Sequence, residues 1–303
     1  MKLKESIEFW VPPSLIAVGR LVAGKTSQQK INRYLSSDRT PWSPGYEPFK
    51  QQTIQATLQD QNLLEVFGKS KSLPKGYGLY LDERCVEYPW LFSKLPDAAQ
   101  YILDAGSVLN YEYLLDQPYF VNKHLHITTL APEYKCFWQK GISYFFEDLR
   151  QLPIRDEFYD SIVCLSTLEH VGLDNTQYAQ DKRYSENRSN DYRLAVTELR
   201  RILKPGGSLF LSVPFGKYQN FGDFQQFDAA LLADAIAAFG PAQMVEKAYF
   251  KYSTDGWQVA TEADCADCEY VQPDEWLTQI PGKPRPSDGA AAARAVACVH
   301  ILR

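Results

Sequence analysis

Glu198-Leu199-Arg200-Arg201-Ile202-Leu203-Lys204-Pro205-Gly206-Gly207-Ser208-Leu209 decides how this chain is read. Residues 195–203 carry Leu199, Ile202 and Leu203 at helical spacing, and Leu194 is expected to share their face. Lys204-Pro205-Gly206-Gly207 ends the helix, because proline cannot continue it and glycine supplies the turn. Ser208-Leu209-Phe210-Leu211-Ser212-Val213 follows at once as an apolar run of strand length. A helix that hands directly to a strand is half of an alternating α/β unit.

The alternation extends both ways. Upstream, Ser161–Leu165 reads as a strand, as do Tyr101–Ala105, Leu125–Leu130 and Ile142–Phe146. Downstream, 228–239 reads as an apolar helix capped by Asp228, with late strands near Met244–Tyr252 and Val296–Leu302. These seven strands predict a doubly wound α/β sheet with helices on both faces, spanning residues 98–303. Such sheets bind ligands beyond the carboxyl ends of their strands, at the topological switch point.

Residues 1–97 read differently, as a cap of short helices and loops. A single helical stretch is expected over Ile54–Phe67, between turn-rich loops at 40–46 and 73–78. Trp42, Tyr46, Tyr77, Tyr80, Tyr88 and Trp90 are too many large aromatics for a bare tail and are expected to bury against the main domain. Asp82-Glu83-Arg84 with Glu87 reads first as a surface ion-pair network.

Composition excludes several function classes. Asp and Glu outnumber Lys and Arg by 37 to 32, which argues against a nucleic-acid surface. No apolar run approaches the roughly 20 residues of a membrane span. The run 14–24 is broken by Arg20, and Glu5, Glu8 and Pro12-Pro13 suit an export signal poorly, so it reads as a packed helix. Six irregularly spaced cysteines make no disulfide framework, and the expected location is cytoplasmic. Cys265-Ala266-Asp267-Cys268 lacks the second pair a zinc site needs, and His124 and His126 lack partners, so no metal is expected.

Four segments in order resemble a class I S-adenosylmethionine-dependent methyltransferase of the type 11 kind: Ile102–Ser107, Phe146–Ile154, Phe158–Val171 and Glu198–Leu209. The resemblance covers residues from about 98 to 252 and implies a Rossmann-like fold whose last strand runs antiparallel. It implies S-adenosyl-L-methionine as cofactor and a small-molecule acceptor. A nicotinamide-dependent reductase on a similar sheet is disfavoured, because it would keep the sheet fully parallel. Tyr178 and Lys182 match the Tyr-x-x-x-Lys spacing of short-chain dehydrogenases, but that family's glycine turn is absent.

Physical chemistry gives the same segments their candidate roles. Asp104 can fix the first turn by accepting backbone N–H bonds, and Gly106 permits a tight turn close to a ligand. The resemblance places Asp104, Gly106 and Ser107 at the methionine end of the cofactor. It places Asp148 against the adenine amino group, the Leu149 N–H against the ring, and Ser166 and Glu169 beside the cofactor. Asp148 as a helix N-cap or loop carboxylate stays open. Glu133 is the candidate ribose carboxylate, with an exposed loop residue as the alternative. His170 is the candidate catalytic base. The turn departs from Gly-x-Gly-x-Gly at Val108 and Asn110, and β-branched Val108 resists positive φ. That departure keeps open a catalytically inactive binding protein on the same fold.

Two further segments are candidates for the acceptor. Residues 172–191 are polar and read either as a solvated loop or as a lid in which Arg183 or Arg188 grips an anion. Residues 213–228 are rich in aromatic and amide side chains suited to a sugar or other polar ring. Arg188, Phe215, Gln225 and Phe227 of these segments, with Tyr192 just beyond the first, are the expected acceptor residues, and a sugar hydroxyl is the default nucleophile.

Overall fold

The computed structural model describes residues 26–272 and 286–303. The apolar run 14–24 lies outside the described residues. The helices are α1 (26–35), α2 (Tyr46–Gln59), α3 (Gln61–Gly68), α4 (Arg84–Phe92), α5 (Glu112–Leu115), α6 (Thr176–Ala179), α7 (Tyr192–Ile202), α8 (Ala229–Phe239) and α9 (Glu262–Cys265). The strands are β1 (Tyr101–Ala105), β2 (His124–Thr128), β3 (Ser143–Phe145), β4 (Tyr159–Leu165), β5 (Leu203–Pro214), β6 (Gln219–Asn220), β7 (Gln225–Gln226), β8 (Met244–Ser253), β9 (Gly256–Ala260) and β10 (Ala295–Leu302).

One sheet dominates, in the order β3-β2-β1-β4-β5-β10-β8-β9. β1 to β5 are mutually parallel, while β10 runs antiparallel between β5 and β8. This is the doubly wound sheet with a reversed last strand. The sheet has eight strands rather than seven, because β8 turns back as a hairpin into β9. Gly256 makes that turn at φ +85°, packed so closely on the Tyr77 carbonyl that a Cβ would clash. β6 and β7 form a separate two-stranded ribbon.

Burial alternates along the strands and assigns the faces. Ile102, Val163, Leu165, Phe210, Val296 and Cys298 face one cluster. Leu103, Ile162, Cys164, Leu209, Leu211 and Val299 face the other. α7 and α8 cover the second face through Tyr192, Val196, Leu199, Leu232 and Phe239. α7 starts at Tyr192, ahead of the expected residue 195, and its buried stripe leaves Leu194 exposed. β5 begins at Leu203, so Lys204–Gly207 extends the strand instead of standing outside it. The Gly206 N–H donates to the Arg303 carbonyl, and the Arg303 N–H donates to Gly207.

The N-terminal segment covers the first face. Tyr46, Tyr77, Tyr88 and Trp90 are buried there, whereas Trp42 stays partly exposed. Trp90 of α4 packs edge-on against Phe210 of β5, with ring centroids 6.0 Å apart. The expected helix over Ile54–Phe67 is two helices. Asp60 separates them by accepting bonds from the N–H groups of Asn62 and Leu63 to cap α3. Asp82 and Glu87 are buried, so the charged cluster is not the surface network expected of it.

Candidate functional site

The strand order reverses between β1 and β4, and a cleft of about 730 Å³ opens at their carboxyl ends. Gly106 and Val108 after β1, Thr129 and Leu130 after β2, and 147–150 after β3 form one wall. Ser166, Thr167 and His170 after β4 form the floor, with Arg84 of α4 beside them. Residues 171–172 and 174–178, Tyr184, Glu186 and 221–223 complete the lining.

The first turn is built around Asp104. Its buried carboxylate accepts the N–H groups of Val108 at 3.1 Å and Leu109 at 2.7 Å. Burial pushes this carboxyl up to about 7, against the lowering effect of those two bonds. Gly106 has φ +126°, and a Cβ there would collide with Thr167 Oγ1. The positive φ the turn needs next falls on Ser107, at +61°, and not on Val108. Val108 turns into the core under the cap, and its carbonyl accepts the Tyr88 hydroxyl at 2.6 Å. Asn110 leaves the cleft altogether. It donates to the Lys135 carbonyl and accepts the Tyr144 hydroxyl.

Asp148 and Leu149 line the wall after β3. Asp148 caps no helix, because 146–152 is coil and turn. Its two oxygens hold the Arg150 side chain at 2.5–3.1 Å. Burial opposes the charged Asp148, but the Arg150 hydrogen bonds prevail and hold its pKa below the usual carboxylate range. Arg150 also reaches Glu186 and Asp191, each at 2.7 Å, and so ties the loop after β3 to the covering segment. On the other side, the Tyr178 hydroxyl lies 2.5 Å from Thr129 Oγ1.

The floor carries the reactive candidates. Ser166 sits at φ +37°, and its hydroxyl donates to Glu87 at 2.6 Å. His170 Nδ1 lies 2.9 Å from the Asp223 carbonyl. A carbonyl only accepts, so Nδ1 carries the proton and Nε2 keeps its lone pair. Burial holds the imidazole below its ordinary pKa, outweighing that bond. Phe221 and Phe224 stack at 4.5 Å beside it, with Tyr270 against Phe224 at 4.8 Å.

Gly106, Asp148, Leu149, Ser166 and His170 therefore line one cleft, whereas Asp104 and Ser107 do not line it, and Asp104 is fully buried beneath the turn. The other candidates stand elsewhere. Glu133 is half-buried in the loop after β2, outside the lining. Glu169 is buried under the floor with Oε2 unpartnered among the described residues. Arg188 is exposed and pairs with Glu186 and Asp191 instead of entering the cleft. Tyr192 is a core residue of α7 whose hydroxyl donates to Asp234 at 2.7 Å. Phe215 and Phe227 are core, and Gln225 is buried with Nε2 on the Ser189 carbonyl. After Phe215 the connector buries Gln225, Gln226 and Phe227 in succession, while its preceding turn, Phe221, Gly222 and Asp223, lines the cleft instead. Arg84, Thr129, Thr167 and Tyr178 also line the cleft, although none was among the expected site residues. Among the described residues no three His, Cys, Asp or Glu side chains could hold a metal ion. No helix among them is long and apolar enough to cross a membrane.

Residues 106–211 match the methyltransferase domain family, from the first-turn glycine to Leu211 of β5. No curated protein matches the sequence. Among solved structures, the chain is similar to the 1,6-didemethyltoxoflavin-N1-methyltransferase of Burkholderia thailandensis, bound to its substrate and S-adenosylhomocysteine. Identity is 14%, coverage 67% of this chain and 71% of that one, and the TM-score 0.39. It is similar to an S-adenosylmethionine-dependent methyltransferase of Thermotoga maritima at 12% identity, 84% and 99% coverage, and TM-score 0.41. It is also similar to the [4+2]-cyclase SpnF at 14% identity, 88% and 84% coverage, and TM-score 0.41. The match over residues 106–211 and the strand order give this part of the chain the Rossmann-like fold of a methyltransferase domain.

Proposed function

We propose that the protein transfers a methyl group from S-adenosylmethionine to a hydroxyl of a small polar acceptor, with a saccharide as the first class to try. The observation that carries this reading is the switch-point cleft. Gly106, which cannot accept a Cβ, lines it after β1, and Asp148 lines it after β3. The altered glycine turn was the support for an inactive protein. Val108 lines the cleft and packs into the cluster beneath the cap, Asn110 bonds to the Lys135 carbonyl, and a cleft of about 730 Å³ stays open beside the altered turn.

The residues present fit the group. Gly106 lets backbone approach a ligand closely, Leu149 lines the wall, and Asp148 supplies an acceptor. When bound, S-adenosylmethionine supplies an electrophilic methyl on its sulfonium. The chain's own contribution is to position the acceptor and exclude water. Residues 171–172, 174–178 and 221–223 line the cleft, and the Phe221–Phe224–Tyr270 cluster offers an aromatic face beside His170. His170 Nε2, free while Nδ1 is held by Asp223, is the group able to take the hydroxyl proton. The acidic net charge and the unpaired cysteines suit a cytoplasmic enzyme of small molecules better than a nucleic-acid partner.

Calorimetric titration with S-adenosylmethionine and S-adenosylhomocysteine tests the reading. Micromolar binding, weakened about tenfold or more by Asp148→Ala, is expected from a lost hydrogen bond to a charged acceptor. No binding by the native protein would overturn it.

A further inference from the structure

The cluster Asp82–Glu87 of the cap reaches the floor of the cleft, and its one arginine is held there by a buried scaffold. Arg84 Nη1 donates to Glu87 Oε2 at 2.9 Å and lies 3.4 Å from the Leu165 carbonyl. Glu87 is fully buried, and its Oε1 is taken by the hydroxyls of Ser166 at 2.6 Å and Ser212 at 2.5 Å. Glu87 is thus clamped to the ends of β4 and β5, and it clamps Arg84 in turn. Asp82 belongs to a different pair, held by Lys50 at 2.7 Å and the Tyr46 hydroxyl at 2.9 Å. Only one edge of the guanidinium is used. Among the described residues, its Nε and Nη2 have no partner, and its side chain is 23% exposed in the lining of the cleft.

A fixed arginine with a free edge in a half-enclosed site is a receptor for a carboxylate. It lines the same cleft as Ser166 and Gly106. In the first turn the N–H groups of Val108 and Leu109 are taken by Asp104 and that of Gly106 by the Thr128 carbonyl, so those three amides are not open to an anion. We propose that Arg84, positioned by Glu87, binds the carboxylate at the amino-acid end of S-adenosylmethionine, so that the cap completes the cofactor site. This inference rests on the methyltransferase reading above. It assigns Glu87 as a positioning residue that touches no ligand.

The test compares S-adenosylhomocysteine with S-adenosyl-3-thiopropylamine, the same molecule without its carboxylate, by calorimetry. The native protein is expected to prefer the carboxylate ligand by about 10- to 100-fold, the range of a charge-assisted hydrogen-bonded pair. Arg84→Met should abolish that preference while leaving the affinity for the amine ligand within about threefold. Arg84→Lys should keep part of it. Arg84→Met leaves Glu87 buried without its cation, so the double variant Arg84→Met/Glu87→Gln is made alongside to remove both charges. Native binding of both ligands without preference would overturn the inference and leave methyl transfer standing. So would a preference that survives in Arg84→Met or in the double variant. Native binding of neither ligand would overturn the functional reading itself.

Discussion

His170 shows how far a residue can be read before its surroundings are known. Its place after β4 made it the candidate base, and the Asp223 carbonyl then fixes its tautomer. Burial holds its pKa below the ordinary 6.5, so the folded imidazole is neutral at pH 7. A base whose folded pKa is depressed stays competent down to that pKa. The methylation rate should therefore be flat across neutral pH and fall only in acid, below pH 6.5. An NMR titration should find the His170 midpoint below 6.5 in the absence of any acceptor. His170→Gln should lower kcat by about 10²- to 10⁴-fold, the usual contribution of a general base. It should leave S-adenosylhomocysteine affinity within about threefold. A midpoint at or above 6.5, or an unchanged kcat, would remove His170 from the chemistry. The acceptor residues were less legible for a physical reason. Phe215, Gln225 and Phe227 have the composition of a sugar site, but composition does not say which side of a ribbon faces inward. Arg84 shows the converse: a charged cluster in a loop-rich segment reads as surface until the packing of α4 buries it.

At the scale of elements, the sequence announces the strands that are apolar on both faces. β1, β4, β5 and β10 lie inside the sheet, and each was legible as a continuous apolar run. β9 was not, because Gly256-Trp-Gln-Val-Ala is short and lies at the edge of the sheet. The break between α2 and α3 was also hidden, since Asp60 interrupts an apolar period that runs on across it. The turn after β1 is the element on which the site depends. Gly106 combines φ +126° with a Cβ position already occupied by Thr167. Gly106→Ala is therefore expected to cost stability and to weaken S-adenosylhomocysteine binding at least tenfold, because both the turn and the end of β4 must shift. Gly206→Ala is the control. It too has positive φ, at +75°, but nothing lies within 4 Å of its Cβ, and it is far from the cleft. Gly206→Ala should lower the melting temperature without changing Kd. Equal losses of binding in both variants would show that the first turn has no special part in holding the ligand.

For the whole molecule, the question is whether the cap is a separate body or part of one core. The sequence divides by composition near residue 97, but the packing does not divide there. Tyr34, Tyr46, Phe67, Tyr88 and Trp90 share one cluster with Ile102, Val163, Phe210 and Phe250 of the sheet. A cap that contributes more than a third of the buried residues on one face cannot unfold without exposing the strands beneath it. Trp90→Ala makes this measurable, since Trp90 is 1% exposed and rests on Phe210. The substitution should cost about 3–5 kcal/mol, the usual range for removing a large buried aromatic. Native-state hydrogen exchange locates where that loss falls. If cap and sheet form one cooperative unit, the slowest amides of β4 and β5 should lose the same free energy as those of α4. If α4 amides weaken while β4 and β5 keep their protection, the cap opens independently, and the carboxylate receptor carried by Arg84 would open with it. One cooperative unit would instead keep that arginine in place whenever the sheet is folded, because Glu87 is bonded to Ser166 and Ser212 at the ends of β4 and β5.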